Sequence, residues 1–282
     1  MTAPLIVVLG GISADRFPCA RPDSSAGWWP GLTGAGRAID PARFRILGLD
    51  FAADAGGQIA PSSQEQAAVI CAALDALGVA KAHAIVGASY GGMVALALGE
   101  HFPERADRLV VISAPAEPFP LSTAMRELQR RTVALALGGG RGEEGLAIAR
   151  GLAMLTYRTA AEFSTRFAGG IPQAEVLSCS EPGAYLRARG EAYRSVMSPE
   201  RFLSLSAAID RHRVRPEMII TPTLLIGALS DQLVPPSQMS DLACRLGGPH
   251  ALHLLPSLYG HDMFLKEATQ LSGIVAPFLR IL

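Results

Sequence analysis

The sequence predicts an α/β fold, a mostly parallel sheet flanked by helices with an inserted helical cap. Three observations carry this. Compact apolar runs recur without polar alternation, as in strands buried on both faces. Helical patterns separate them, which calls for right-handed strand–helix–strand crossovers. One long stretch, from about Phe119 to Pro216, has no good strand at all.

"PLIVVLG" (4–10), "FRILGLDF" (44–51), "HAIVGAS" (83–89), "RLVVISA" (108–114), "MIITPTLLIGA" (218–228) and "HALHLLP" (250–256) are the strand candidates. The helix in "PSSQEQAAVICAALDALGV" opens with a capping box, Ser62 with Glu65, and carries one apolar stripe at 67, 70, 71, 74 and 77 before Gly78. "GGMVALALGEHFPE" is a second helix, closed by Pro103, and "LKEATQLSGIVAPFL" is the last. Between the fourth and fifth strands, "LSTAMRELQRRTVALAL", "EEGLAIARGLAMLTYRT", "AAEFSTRF" and "SPERFLSLSAAIDRH" read as cap helices. The glycines at 138–140 follow no strand and read as a link between helices rather than a phosphate loop. The expected division is a core of residues 1–118 and 217–282 with a cap of 119–216.

The 282 residues are 49% hydrophobic, enough for one large core. Lys+Arg and Asp+Glu are 25 each, so no charge footprint points to nucleic acid or an anionic membrane. Local positive patches remain available for a phosphorylated ligand. "MTAPLIVVLGG" lacks a basic leader and reads as a buried strand, not a signal peptide. No run approaches the roughly 20 apolar residues that span a bilayer. The scattered Cys19, Cys71, Cys179 and Cys244 suggest buried free thiols in a reducing cytoplasm, with neither a disulfide framework nor a zinc site.

"IVGASYGGMVAL" (85–96) places G-x-S-x-G, Gly87 to Gly91, at a strand-to-helix corner. A nucleophile there sits on strained backbone, and side chains two residues away on either side would clash. Ser89 is the predicted nucleophile. It needs a base, and the expected chain order is Ser, Asp/Glu, His. His261 in "LYGHDMF" follows the last strand, at the same sheet edge. The other histidines have plainer roles: His83 starts a strand, His101 ends a helix, His212 leaves the cap, and His250 and His253 lie in the last strand. Asp231 in "GALSDQLVPP" follows the fifth strand and would orient the imidazole. Asp210 and Asp241 lie within or beside helices. The expected oxyanion donors are the N–H of Tyr90 and, from the "LGGISAD" loop that Gly10 and Gly11 let come close, the N–H of Ile12.

These residues resemble the homoserine O-acyltransferases, a branch of the α/β-hydrolases. "GASYGGMVAL", "ARGLAMLTYRTAAEFSTRF", "AAIDRHRV", "SDQLVPPSQ" and "YGHDMFLKE" carry the likeness over most of the chain. "GGIS", "WW", "RFR" and "LQRR" match a subgroup. The resemblance implies acyl transfer from acetyl-CoA or succinyl-CoA to serine and then to the hydroxyl of L-homoserine, in methionine biosynthesis. It implies that Arg150 and Tyr157 hold the homoserine carboxylate and that Asp262 meets its ammonium. It implies acyl-CoA as co-substrate with no bound cofactor or metal, small molecules as the only partners, and a homodimer joined by the apolar stripe left on the cap helices. An esterase using water, or a serine acyltransferase, would share the same triad. Two departures stand out. Relatives usually carry an antiparallel strand pair before "LIVVLGG", so either a sheet shorter at one edge or a truncated start is expected. Ala88 and Tyr90 replace the frequent glycine and methionine, and a Tyr90 ring in the acyl tunnel would alter substrate choice.

Overall fold

A computed structural model describes residues 3–21, 25–53, 58–167 and 180–280. Its sheet has the order β2-β1-β3-β4-β5-β6 and every pairing is parallel. The strands are β1 (Leu5–Leu9), β2 (Arg45–Gly48), β3 (Ala84–Ala88), β4 (Leu109–Ile112), β5 (Thr223–Ala228) and β6 (His250–Leu255). All six predicted strands are present. The fifth is shorter than its apolar run because Pro222, which has no N–H, cannot join the ladder. A single turn of 3₁₀ helix (Pro216–Met218) occupies the start of that run. Burial on both faces holds for β1, β3, β4 and β5 but not for the edge strands β2 and β6, which have a neighbour on one side only.

Strand side chains alternate between two apolar layers. Leu5, Val7, Leu9, Ile85 and Val111 point to the layer containing α1 (Ser63–Ala76) and α2 (Tyr90–His101). Ile6, Val8, Val86, Val110 and Ile226 point to the opposite layer, closed by Trp29, Leu32 and Phe44 and by Leu271 and Val275 of the C-terminal region. α1 carries the predicted capping box: Glu65 N–H donates to Ser62 Oγ (3.2 Å), and Ser62 N–H donates to Glu65 Oε2 (2.7 Å). Its stripe ends at Leu74, because Leu77 is the C-cap and half-exposed.

Between β4 and β5 lie α3 (Pro120–Gly138), α4 (Gly142–Tyr157), α5 (Ala160–Arg166), α6 (Glu181–Tyr193) and α7 (Pro199–Asp210). No strand interrupts them among the described residues, as the sequence predicted, and Gly139–Gly140 link α3 to α4. α8 (Pro236–Arg245) joins β5 to β6. The single helix expected over 265–279 is two, α9 (Met263–Lys266) and α10 (Ala268–Phe278). They break at Glu267, whose ψ of 49° leaves the helical range and whose carboxylate accepts from Ser257 Oγ and Gln270 Nε2. Among the thiols only Cys71 is buried; Cys19 is partly buried and Cys244 is exposed, while Cys179 lies outside the described residues. None of the described helices is long and apolar enough to cross a membrane.

The strand order reverses direction between β1 and β3, since the chain leaves β1 toward β2 and returns on the other side. Loops at the carboxyl ends of strands diverge at such a point and leave a crevice. The loop after β1 and the turn after β3 both open into it, with Leu9 in register with Gly87.

Candidate active site

Ser89 occupies the corner between β3 and α2 with φ 54° and ψ −121°. A non-glycine residue holds such backbone only where its surroundings enforce it. Here the Ser89 N–H donates to Ile112 O (2.8 Å), and the Gly91 N–H donates to Gly10 O (2.9 Å). The second bond locks the β1 loop against the start of the helix. A β-carbon built on Gly11 would lie 3.9 Å from Ser89 Oγ, so this loop passes directly over the hydroxyl.

His261 sits in a single 3₁₀ turn (Gly260–Asp262) after β6. Its Nε2 is 2.9 Å from Ser89 Oγ, and its Nδ1 is 2.8 Å from Asp231 Oδ2. The other Asp231 oxygen accepts the N–H groups of Leu233 (2.9 Å) and Val234 (3.0 Å), which fixes the carboxylate. An ionised Asp231 only accepts, so Nδ1 carries the proton and Nε2 is free to accept from the serine. Burial pushes the His261 pKa down, but the charge and hydrogen bond of Asp231, with Asp262 adding, outweigh it and hold the pKa above its ordinary value. The histidines set aside keep their plainer places. His83 Nε2 donates to Leu279 O (3.0 Å), and His212 bridges Ser63 Oγ and Pro115 O.

A cavity of about 200 Å³ opens beside the serine. Gly11, Ile12, Ser89, Tyr90, His261 and Phe264 border it on the sheet side. Arg150, Tyr157, Arg126 and Gln129 border it from the inserted helices. Every sequence-predicted site residue lines it except Asp231, which stands behind His261. Ile12 and Tyr90, the expected oxyanion donors, both line this cavity with Ser89. Arg150 and Tyr157 share a face of α4, with the guanidinium carbon 5.2 Å from the Tyr157 ring centre.

One expectation is corrected. The Tyr90 ring does not stand in an acyl tunnel: it is 1% exposed and packs edge-on against Phe51 (4.7 Å between centres). Burial pushes its phenol pKa up. α2 begins at Tyr90, and its first side chain is turned into the layer shared with α1.

Other residues had no readable signal. Tyr193, from α6, covers the far side of Arg150 at 4.7 Å and accepts a hydrogen bond from Ser13 Oγ (3.2 Å). Burial pushes its pKa up to about 12. Arg158, the residue after α4, is buried with Nε 2.9 Å from Asp262 Oδ2 and Nη1 donating to Glu162 Oε1 (2.9 Å). Asp262 is thus already paired within the protein. Burial raises its pKa, and Arg158, His261, Arg150 and Lys266 pull it back. Ser113 repeats the positive backbone angle (φ 49°) at the end of β4, and its buried Oγ has no partner among the described residues. Nor do three His, Cys, Asp or Glu side chains cluster among them as metal ligands.

Known proteins resemble this chain in sequence and in fold. Residues 4–268 match the family model for the alpha/beta hydrolase fold. A homoserine O-succinyltransferase of Xanthomonas campestris pv. campestris is 40% identical over 284 residues, covering 99% of this chain and 76% of that one. A homoserine O-acetyltransferase of Deinococcus radiodurans is 33% identical over 274 residues, covering 90% and 78%. The crystal structure of a homoserine O-acetyltransferase from Bacillus anthracis superposes with a TM-score of 0.88 at 18% identity, covering 99% of this chain and 88% of that one. With the fold matched over nearly its whole length and these sequence relatives alongside it, the chain belongs to the homoserine O-acyltransferase family of the α/β-hydrolases.

Proposed function

We propose that the protein transfers an acyl group from acyl-CoA to the hydroxyl of L-homoserine by a ping-pong mechanism, as a step of methionine biosynthesis. The observation that carries this reading is the meeting of the Ser89–His261–Asp231 chain, Arg150, Tyr157 and Asp262 around one cavity. Ser89 Oγ attacks the thioester carbonyl while His261 Nε2 takes its proton. The negative charge on the carbonyl oxygen is met by the N–H groups of Tyr90 and Ile12. The C–S bond breaks, and the thiolate leaves with the proton from His261. Homoserine then enters, its carboxylate against Arg150 and Tyr157 and its ammonium toward Asp262. His261 deprotonates the hydroxyl, which attacks the acyl-serine ester; collapse returns the proton to Ser89. Residues 119–216 act as the cap that keeps water, the competing acceptor, from the ester.

For the donor, succinyl-CoA is favoured over acetyl-CoA. Arg126 borders the cavity and shares Asp210 with Arg130, two guanidinium groups on one carboxylate, so this wall carries a net positive charge suited to a second acyl carboxylate. The Ser113 hydroxyl, without a partner among the described residues, lies on the same cavity. The name of the 40%-identical relative points the same way. A homodimer in the cytoplasm completes the proposal, with no bound cofactor or metal and no nucleic-acid or membrane partner. Exposed Leu121, Leu128 and Leu135 recur every seventh residue on α3, beside exposed Ile148, Leu152 and Leu155 on α4.

The test is thiol release from succinyl-CoA and from acetyl-CoA, each with L-homoserine, L-serine or no acceptor. Homoserine-dependent release with succinyl-CoA is the expected result. Serine dependence would redirect the acceptor, and release indifferent to acceptor would make the protein an esterase.

A further inference from the structure

Asp262 is the proposed counter-ion for the acceptor's ammonium, yet a buried arginine already stands against it. Arg158 Nε is 2.9 Å from Asp262 Oδ2, and both side chains are almost wholly enclosed. A lone Arg–Asp pair has no net charge, and its cation would repel an incoming ammonium. The chain supplies a third member. Glu162, on the first turn of α5, accepts from Arg158 Nη1 at 2.9 Å and is equally buried. Its backbone N–H donates to Thr159 Oγ1 (3.0 Å), and that hydroxyl donates to Leu258 O (2.6 Å), so the base of α5 is tied to the loop that carries His261 and Asp262.

We propose that Arg158 and Glu162 are positioning residues that aim Asp262 and set its site's charge for an ammonium-bearing acceptor; the inference rests on the homoserine reading above. Counted as ions, Arg158 contributes one positive charge and Glu162 and Asp262 one negative charge each, leaving one net negative charge. Glu162 compensates Arg158, so Asp262 keeps its charge for the ligand. The guanidinium of Arg158 lies within ion-pair distance of both carboxylates, through Nη1 to Glu162 and Nε to Asp262, a two-armed reach that a lysine lacks. Among the described residues the Arg158 Nε–H points squarely at no acceptor and Glu162 Oε2 has no partner, so the trio is not closed on itself. Other charges face it. Arg150 and Arg126 line the same cavity, where Arg150 would meet the acceptor carboxylate; His261 and Lys266 also act on the Asp262 charge. Arg166, half-exposed, is 3.9 Å from Glu162 Oε1 on the outer side. The cavity lining thus offers guanidinium groups, Arg150 and Arg126, to a carboxylate and the Asp262 carboxylate to an ammonium, the two charges of an α-amino acid.

The experiment compares two acceptors within each variant: L-homoserine, and 4-hydroxybutyrate, which keeps the hydroxyl and carboxylate but lacks the ammonium. Wild-type enzyme, Glu162→Gln, Glu162→Asp and Arg158→Lys are assayed by acceptor-dependent thiol release from succinyl-CoA. In Glu162→Gln the ratio of kcat/KM for homoserine to that for 4-hydroxybutyrate falls about tenfold or more, because one charge is removed from a buried site. Arg158→Lys lowers the same ratio, and Glu162→Asp restores most of it. A ratio that stays at its wild-type value in Glu162→Gln and Arg158→Lys overturns the inference, since loss of packing alone slows both acceptors alike. A wild-type enzyme that shows no homoserine-dependent release, or no preference for homoserine over 4-hydroxybutyrate, sinks the homoserine reading itself.

Discussion

A methyl group on Gly87 would sit 2.2 Å from the carbonyl oxygen of Gly91, and one on Gly91 would sit 2.5 Å from the carbonyl oxygen of Leu9. Both obstacles are backbone, so no rotamer change relieves them. The two glycines let Ser89 stand on its turn while β1, β3 and α2 close around it. Gly87→Ala therefore costs about 2–4 kcal/mol of stability and displaces Ser89 from His261. Chemical denaturation and acyl transfer should fall together. Gly273 is the contrast: it lies inside α10 with open space where its β-carbon would be. Gly273→Ala should add about 0.5–1 kcal/mol and leave transfer intact. A fully active and stable Gly87→Ala protein would remove the steric account of the turn.

The base must be neutral to accept the serine proton, and the pKa of His261 is held above its ordinary value of 6.5. Transfer should thus decline as pH falls, with its acid limb above pH 6.5 rather than below. Asp231→Asn removes the charge and hydrogen bond that do most to raise this pKa, leaving burial, which lowers it, against the smaller pull of Asp262. The limb should shift to lower pH while kcat drops about 10⁴-fold through loss of the working tautomer. A pH–rate profile of both proteins checks the sign.

His212 offers a separate pH signature in stability. It is buried with Nδ1 2.8 Å from Ser63 Oγ and Nε2 donating to Pro115 O at 3.1 Å. Burial outweighs the Pro115 bond and the charge of Glu100, and lowers its pKa from 6.5 to about 4. The folded pKa is the depressed one, so its contribution is full above pH 6.5 and is lost as pH falls from there toward 4. The loss is about 3 kcal/mol for a shift of this size. Denaturation midpoints between pH 7 and 4 should fall less steeply in His212→Gln than in the unmodified chain, and equal slopes would refute the assignment.

Arg150 is held between two rings, Tyr157 at 5.2 Å and Tyr193 at 4.7 Å. Buried cation–ring contacts are worth about 1–2 kcal/mol. Tyr193→Leu should loosen the guanidinium and raise the homoserine KM roughly tenfold, with a smaller change in kcat. Tyr193→Phe keeps the ring and loses only the hydroxyl that Ser13 reaches, so its KM should stay near the starting value. Equal KM values for the leucine and phenylalanine variants would show that the ring does not orient Arg150.

The strands, most of the helices, the serine turn and the candidate triad could be read from residue order alone. Each of these is written in local spacing: apolar runs, a capping box, glycines two residues either side of a serine, and an aspartate and a histidine just past the ends of strands. The resemblance extended that reading to Arg150, Tyr157 and Asp262. The remaining features depend on packing between distant segments. Ser89 and His261 are 172 residues apart, and the sheet order brings them to 2.9 Å. Tyr193 reaches Arg150 only because α6 packs on α4. The Tyr90 ring went to Phe51 rather than the cavity because α2 shares its buried layer with α1. The ion pairs of Arg158 with Glu162 and with Asp262 join segments from the inserted helices and the last sheet loop. A charge balance made across that seam has no period to read, since its energy depends on burial and distance, which exist only once the chain has folded.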